Sequence, residues 1–323
     1  MENYILGIDL GGTKVMAAIF DQAGTIVSRA RAKTQAWRDD EMVFQTVART
    51  AEQAIERAGI TREQLQALGI GAPGPLDPDT GTIIESANMK LRNFPLGPRL
   101  AEAFNCPAIV DNDVNAGTYG EYRAGAARGA RHVLGVFVGT GIGGGIIADG
   151  ALYHGFSKNA GEIGHIIIEA NGPRCGCGNR GCMEALASRI AMTRDIRKAV
   201  KRGDKTVLKD KLKQETELIS GGDLGKAYRA GDKLVVKIMN RAARMIGIGI
   251  GSLVNVLSPE IVVLGGGVVE AMEDDFIKRI DRVVRDVAFN FMTRDLQIVR
   301  ATLGDDAGVT GAAMLAREAI ERL

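Results

Sequence analysis

Histidine and cysteine are scarce in this chain, three and four residues in 323, and proline is nearly as rare at eight. Few prolines and no low-complexity tract exclude a disordered or proline-rich linker protein. Long hydrophobic runs are missing too. No segment offers eighteen uninterrupted apolar residues, and "MENYILGIDL" has no basic stretch ahead of a long apolar core, so neither a membrane span nor a signal peptide is expected. Charge of one sign is absent: 41 basic against 39 acidic residues leave a formal +2, which argues against a dedicated nucleic-acid binder. A cytoplasmic location with reduced thiols is the expectation. Glycine, in contrast, is abundant at 42 residues, and points to tight turns and to backbone lying close to ligands. With 46% hydrophobic and 25% charged residues, the chain is long enough for two domains that each bury a core.

Three of the four cysteines fall within eight positions of "RCGCGNRGCME": Cys175, Cys177 and Cys182. In a reducing compartment a disulfide is the weaker reading, and Cys-x-Cys with a third cysteine five positions on has the spacing of thiolate metal ligands. A fourth ligand is required. His165, ten positions before Cys175 in "GEIGHIII", is within reach of a short loop. A complete Cys3His set fills tetrahedral zinc and leaves no position for water, so the expected metal is structural Zn2+. Cys106, in "FNCPAIV", reads as a small buried apolar residue.

Tyr4–Leu10, Val15–Phe20 and Thr25–Arg31 read as a strand-turn-strand-turn-strand meander. The pattern returns 128 positions later, "ILGIDLGGTKVMAAIFDQA" lying over "VLGVFVGTGIGGGIIADGA", which an internal duplication explains most simply. Helical segments follow each meander: "DEMVFQTVARTAEQAIERAG" in the first half, "EALASRIAMTRDIRKAV" and "DKLVVKIMNRAARMIGIGIGSLVNVL" in the second. Buried strands "ALGIGAPG", "PAIVDND" and "EIVVLGGG" alternate with them. The expected fold is α/β, with two related domains facing each other across a cleft.

Turns without Cβ atoms let backbone N–H groups approach phosphate closely. Three are present: Asp9, Gly11, Gly12, Thr13 and Lys14 of "DLGGTK"; Gly139, Thr140, Gly141, Gly143 and Gly144 of "GTGIGGG"; and Gly265, Gly266 and Gly267 of "LGGGVV". Each alone is a common hairpin, whereas three on one duplicated frame make a stronger signal. Neither a Walker sequence nor a dinucleotide fingerprint is present, because the first turn leads into another strand.

Together "DLGGTK", "GTGIGGGII", "GEIGH" and "CGCGNRGCME", with the carboxyl-terminal "GVTGAAMLAREA", resemble the ROK family of bacterial sugar kinases, most closely its glucokinase branch. The resemblance implies duplicated actin-like, hexokinase-like domains of the ribonuclease H type. It implies ATP as phosphoryl donor with Mg2+, a hexose acceptor, and zinc on His165, Cys175, Cys177 and Cys182. It also implies that Ala307–Leu323 returns to the first domain, giving 1–115 plus 307–323 as the smaller domain and 116–306 as the larger one. A homo-oligomer, dimer or tetramer, is expected.

Phosphorylating a sugar hydroxyl needs a carboxylate to take its proton while the γ-phosphate is held in line. "VDNDVN" offers Asn112 and Asp113 at the end of a buried strand; on the residues alone, a base in the site and a cap of the next helix are equally good readings. The resemblance implies that Asp113 is the general base and Asn112 a sugar contact, with further contacts from Glu162, His165 and Glu184. Asn88 joins them, although Ala87 stands where the family usually has proline. His165 would then serve zinc through one ring nitrogen and sugar through the other, so the cysteines hold a sugar-binding loop in shape.

The charged stretch from Asp195 to Glu217 reads as solvated helices, and Trp37 and the aromatics of "FNFM" as packing residues. ROK repressors carry a helix-turn-helix ahead of the kinase-like part, which is not expected here because "GIDLGGTK" begins at Gly7. A non-catalytic sugar sensor and an actin-like assembly protein are the other classes; retained Asp9, Asp113 and both phosphate turns oppose the first, and the Cys3His cluster has no use in the second. Among kinases, N-acetylmannosamine, N-acetylglucosamine, fructose and allose are alternative acceptors.

Overall fold

Apolar runs broken by glycine turns dictate the amino-terminal meander. The computed structural model describes residues 3–34, 39–86, 89–212, 217–272 and 274–322; Trp37 and Asn88 lie outside them. β1 (Tyr4–Leu10) and β2 (Lys14–Phe20) are buried almost throughout. β3 (Ile26–Lys33) is the outer strand and alternates accordingly, with Ser28 and Ala30 inward and Arg29 and Arg31 outward. α1 (Asp40–Ala58) starts where the Asp39 side chain accepts from the Met42 N–H and stops at Gly59, whose φ of 68° few other residues adopt. Its Val43, Phe44, Val47, Ala51 and Ile55 recur at helical spacing and pack on the sheet.

β4 (Leu65–Ala72) lies parallel to β1. β5 (Leu76–Asp77), β6 (Thr82–Ser86) and β7 (Leu91–Phe94) form a small antiparallel sheet. α2 (Leu96–Phe104) buries Leu96, Leu100 and Phe104, and β8 (Ala108–Asn112) runs parallel to β4 into α3 (Asp113–Ala124). The first sheet has the order β3-β2-β1-β4-β8.

The second half repeats it. β9 (Val133–Val138), β10 (Ile142–Ala148) and β11 (Ala151–Leu152) form the second meander. After α4 (Met183–Ala187), α5 (Arg189–Lys201), α6 (Gly221–Arg229) and α7 (Lys233–Leu257) comes β12 (Ile261–Gly265). α8 (Gly267–Ala271), α9 (Asp274–Val287), α10 (Asn290–Thr293) and β13 (Gln297–Arg300) follow it. The sheet order β11-β10-β9-β12-β13 matches the first strand for strand, with β12 parallel to both β9 and β13 as β4 is to β1 and β8. That identity of topology is the structural form of the duplication read from the sequence.

The segment expected as one helix from Glu184 to Val200 is two. Ser188 takes an extended conformation, ends α4 and caps α5 by accepting from the Ala191 N–H. α5 also buries Ala191, Met192, Ile196 and Ala199, so the start of the charged stretch is a packed helix. The aromatics of "FNFM" are not packing residues: Phe289 and Phe291 are 62% and 69% exposed and stack on each other at 5.7 Å between ring centres, because Phe289 only caps the short α10.

Two compact units result, Met1–Gly129, Gly145–Gly161 and Asp305–Leu323 in one, Ala130–Gly144 and Glu162–Gly304 in the other. α11 (Ala307–Glu321) belongs to the first because Val309, Ala313 and Ala316 complete an apolar cluster with Ile5, Met16 and Ala67. The helix lies so close that a Cβ on Gly7 or Gly69 would strike the carbonyls of Val309 and Ala312. No helix among the described residues is long and apolar enough to cross a membrane.

Candidate active site

In the first unit the chain opens at the carboxyl ends of the parallel strands β1, β4 and β8, where α/β folds gather ligands. Asp9 stands near the end of β1, just before the turn in which the Gly11 N–H donates to the Lys14 carbonyl at 2.9 Å. Lys14 pairs with Asp305 at 2.6 Å, and Arg31 meets the same carboxylate at 2.9 Å. β8 ends at Asn112, whose side-chain oxygen accepts from the Val114 and Asn115 N–H groups at 2.9 and 3.2 Å. Asn112 is therefore the cap of α3. Asp113 is its first residue, where the helix favours negative charge, and its Oδ1 also accepts from Val114 at 2.9 Å.

Burial first, and then repulsion from Asp113 and Asp305, raise the Asp9 carboxyl to about 7 against the opposing charge of Lys14. A carboxyl whose folded pKa exceeds its unfolded value favours folding at low pH, and the benefit is lost as pH rises from about 4 through 7. Asp9→Asn should therefore melt with the wild type near pH 4 but several degrees above it at pH 8.5 without nucleotide. At ~1.4 kcal/mol per unit the ceiling is a few kcal/mol. Thermal melts at both pH values check this; equal melting temperatures at pH 8.5 would contradict it.

One pair here had no signal in the sequence. Asp111, only 5% exposed, accepts from the Asn112 N–H at 2.7 Å, the Asn115 side-chain amide at 2.9 Å and His154 Nε2 at 2.6 Å. Its carboxylate raises the His154 imidazole above its ordinary range. The pair fixes the turn that carries Asn112 and Asp113, and His154 lines a cavity of about 260 Å3 with Tyr119, Lys158 and Glu318. Asp111 and His154 are 43 positions apart, and only the fold joins them.

In the second unit the "GTGIGGG" turn links β9 to β10, the Gly139 N–H donating to the Gly141 carbonyl at 2.9 Å. The strand-end turn Gly265–Gly267 abuts it: a Cβ on Gly266, at φ 86°, would lie 2.7 Å from the Val138 carbonyl oxygen. Glu184, in α4, accepts from the Ile142 N–H at 3.0 Å, so closely that a Cβ on Gly141 would collide with its carboxylate. The other Glu184 oxygen is 3.8 Å from Cys175 Sγ. Glu184 thus ties the glycine turn to the cysteine loop.

His165, Cys175, Cys177 and Cys182 bring their ligand atoms within 4.8 Å of one another. Cys175 Sγ is 3.6 Å from His165 Nδ1, and Cys177 Sγ is 3.7 Å from Cys182 Sγ. Zinc–sulfur bonds of about 2.3 Å set tetrahedral ligands about 3.8 Å apart, so the donor set and its spacing fit zinc. Burial raises the Cys175 thiol and pushes Cys182 up to about 12, whereas the Asn179 backbone lowers Cys177; a divalent cation would displace the protons. His165 presents Nδ1 to the sulfurs, leaving Nε2 3.9 Å from a Glu162 oxygen.

The ROK family profile matches residues 5–319. The chain belongs to the ROK family. It is 33% identical over 318 residues to a glucokinase of Halalkalibacterium halodurans, covering 98% of this chain and 96% of that one. A ROK family glucokinase from Streptomyces griseus, solved with glucose and AMPPNP, superposes with a TM-score of 0.85 at 32% identity, over 98% of this chain and all of that one. A xylose repressor of Caldicellulosiruptor bescii is 30% identical over 95% of this chain and 76% of its own length. The fold is thus the actin-like, hexokinase-like fold of ROK proteins, the chain is a hexokinase-type enzyme, and its Cys3His cluster can hold structural zinc.

Proposed function

We propose that this ROK protein transfers the γ-phosphoryl group of ATP to the 6-hydroxyl of D-glucose, with Asp113 as general base. The observation that carries the reading is Asp113 itself, presented at the first position of α3 beside Asp9 by a turn whose capping is done by Asn112. Asp113 takes the proton of the sugar hydroxyl as its oxygen bonds to phosphorus and the bond from phosphorus to the departing ADP oxygen breaks; the proton then passes to solvent. Mg2+, when bound, neutralises charge on the phosphates. Gly11, Gly12, Thr13, Gly139, Thr140, Gly141, Gly143, Gly144 and Gly265–Gly267 form the turns assigned to the nucleotide, with Lys14 as the cation of the first turn. Asn112, Glu162, His165, Glu184 and Asn88 are assigned to the hexose. His165 Nε2, turned away from the thiols, suits that role. The exposed Phe289–Phe291 stack favours a homo-oligomer. A cytoplasmic location is part of the proposal.

The substrate is tested by ATP-dependent turnover across a hexose panel. D-glucose should exceed N-acetylmannosamine, N-acetylglucosamine, fructose and allose in kcat/KM. An amino sugar or ketose preferred tenfold, about 1.4 kcal/mol in transition-state binding, would replace glucose while leaving the kinase reading intact.

A further inference from the structure

Arg189 opens α5, and its position is costly. A cation at the first residue of a helix sits against the positive end of the dipole. Ser188 already caps this helix through the Ala191 N–H, so Arg189 is not needed to start it. Among the described residues no carboxylate pairs with it, and desolvation lowers the guanidinium below its ordinary value. Nη2 donates to Thr140 Oγ1 at 2.6 Å, while Nε is buried with no acceptor among the described residues. The Arg189 backbone N–H donates to the Gly139 carbonyl at 3.1 Å, and that of Ile190 to the Thr140 carbonyl at 3.3 Å. Side chain and helix start are thus both fastened to the glycine turn.

A guanidinium cannot shed its proton, so the fold keeps a partly desolvated cation with an unmet donor against a turn rich in glycine. Local costs of this kind concentrate where a ligand offsets them. The planar fork of arginine matches phosphate oxygens with two parallel donors, which a lysine at the same place would not do.

We propose that Arg189 binds the terminal phosphates of the nucleotide, its free donors reaching phosphoryl oxygens while the Thr140 hydroxyl sets the plane of the fork. The inference rests on the reading of Gly139–Gly144 as a phosphate turn. The opposing view makes Arg189 a strut between α5 and the turn. ATP carries the terminal phosphates and AMP does not, so the two nucleotides separate these views.

Calorimetric titration of the zinc-loaded full chain with ATP and with AMP, each with Mg2+, provides the test. Arg189→Met keeps the aliphatic stem and removes the fork. It should weaken ATP roughly ten- to a hundredfold, leave AMP and glucose within threefold, and not lower the melting temperature. Arg189→Lys should recover only part of the ATP affinity. Equal losses for ATP and AMP would make Arg189 a strut and overturn the proposal. If Arg189→Met binds ATP normally while Thr140→Ala does not, the turn holds phosphate and Arg189 does not. If both variants bind ATP as the wild type does, the phosphate-turn reading fails and the proposal falls with it.

Discussion

Asp113→Asn should lower kcat by roughly a hundredfold or more while sugar binding stays within about tenfold. An amide takes no proton at neutral pH, so a general base is lost outright. The fold has little stake in the change. The cap of α3 is the Asn112 oxygen, and the side-chain carbonyl of a new asparagine can still accept the Val114 N–H that Asp113 Oδ1 accepts now. Loss of one negative charge in the first turn costs about 0.3–1 kcal/mol, and relief of the repulsion between Asp113 and the buried Asp9 acts in the opposite direction. Steady-state kinetics with glucose, zinc content and a thermal melt read these three effects separately. The loss should fall on kcat and not mainly on KM. A variant within a fewfold of wild-type turnover would return Asp113 to the role of helix starter and make Glu162 the next base to examine.

Freshly purified protein should contain about one zinc per chain, and Cys177→Ser should lose most of it together with at least tenfold of its glucose affinity. Cys177 is the informative ligand because it is exposed, whereas Cys175 and Cys182 are buried, so its oxygen analogue opens no cavity and the loss belongs to the metal. Without the ion this loop keeps backbone bonds such as that from the Cys175 N–H to the Asn179 carbonyl at 2.8 Å, but loses the link that joins its cysteines to His165. Among the described residues its apolar cluster is the small set Cys175, Cys182 and Ala185, and its isolated bridges are Ile167–Cys182 and Arg174–Arg180. Glucose affinity should suffer because Glu162, His165 and Glu184 stand on the same loop and on α4 beyond it. Metal analysis that finds no zinc in protein never exposed to chelator would refute the centre. A zinc-free variant with normal glucose affinity would separate the centre from the sugar.

Much of this molecule was legible in one dimension. The two meanders were visible because hydrophobic runs and glycine turns are local features, and the duplication because Leu6, Gly7 and Gly11 recur as Leu134, Gly135 and Gly139. The Cys3His cluster was legible for a related reason: three of its four members lie within eight positions, and thiolate chemistry admits few other uses for them. The unbroken helix drawn through Ser188 failed because a serine there serves equally as interior residue or cap, and its extended backbone is set by packing. "FNFM" misled because an aromatic pair carries no mark of which side will face water.

The sequence by itself determined the strands, the glycine turns, the cysteine cluster and the residue pair Asn112–Asp113, since each depends on neighbours along the chain. Only the tertiary structure decided which of that pair caps the helix. It also joined Asp111 to His154 across 43 positions, raised the Asp9 carboxyl by burying it beside Asp113, and set the Arg189 guanidinium on the Thr140 hydroxyl with its Nε unbonded among the described residues. The cap is a local choice of backbone and side-chain geometry, whereas the other three outcomes are matters of desolvation and of contacts between segments far apart in the chain. Burial and through-space charge have no period in a sequence, so they appear only when the sheets and helices are in place.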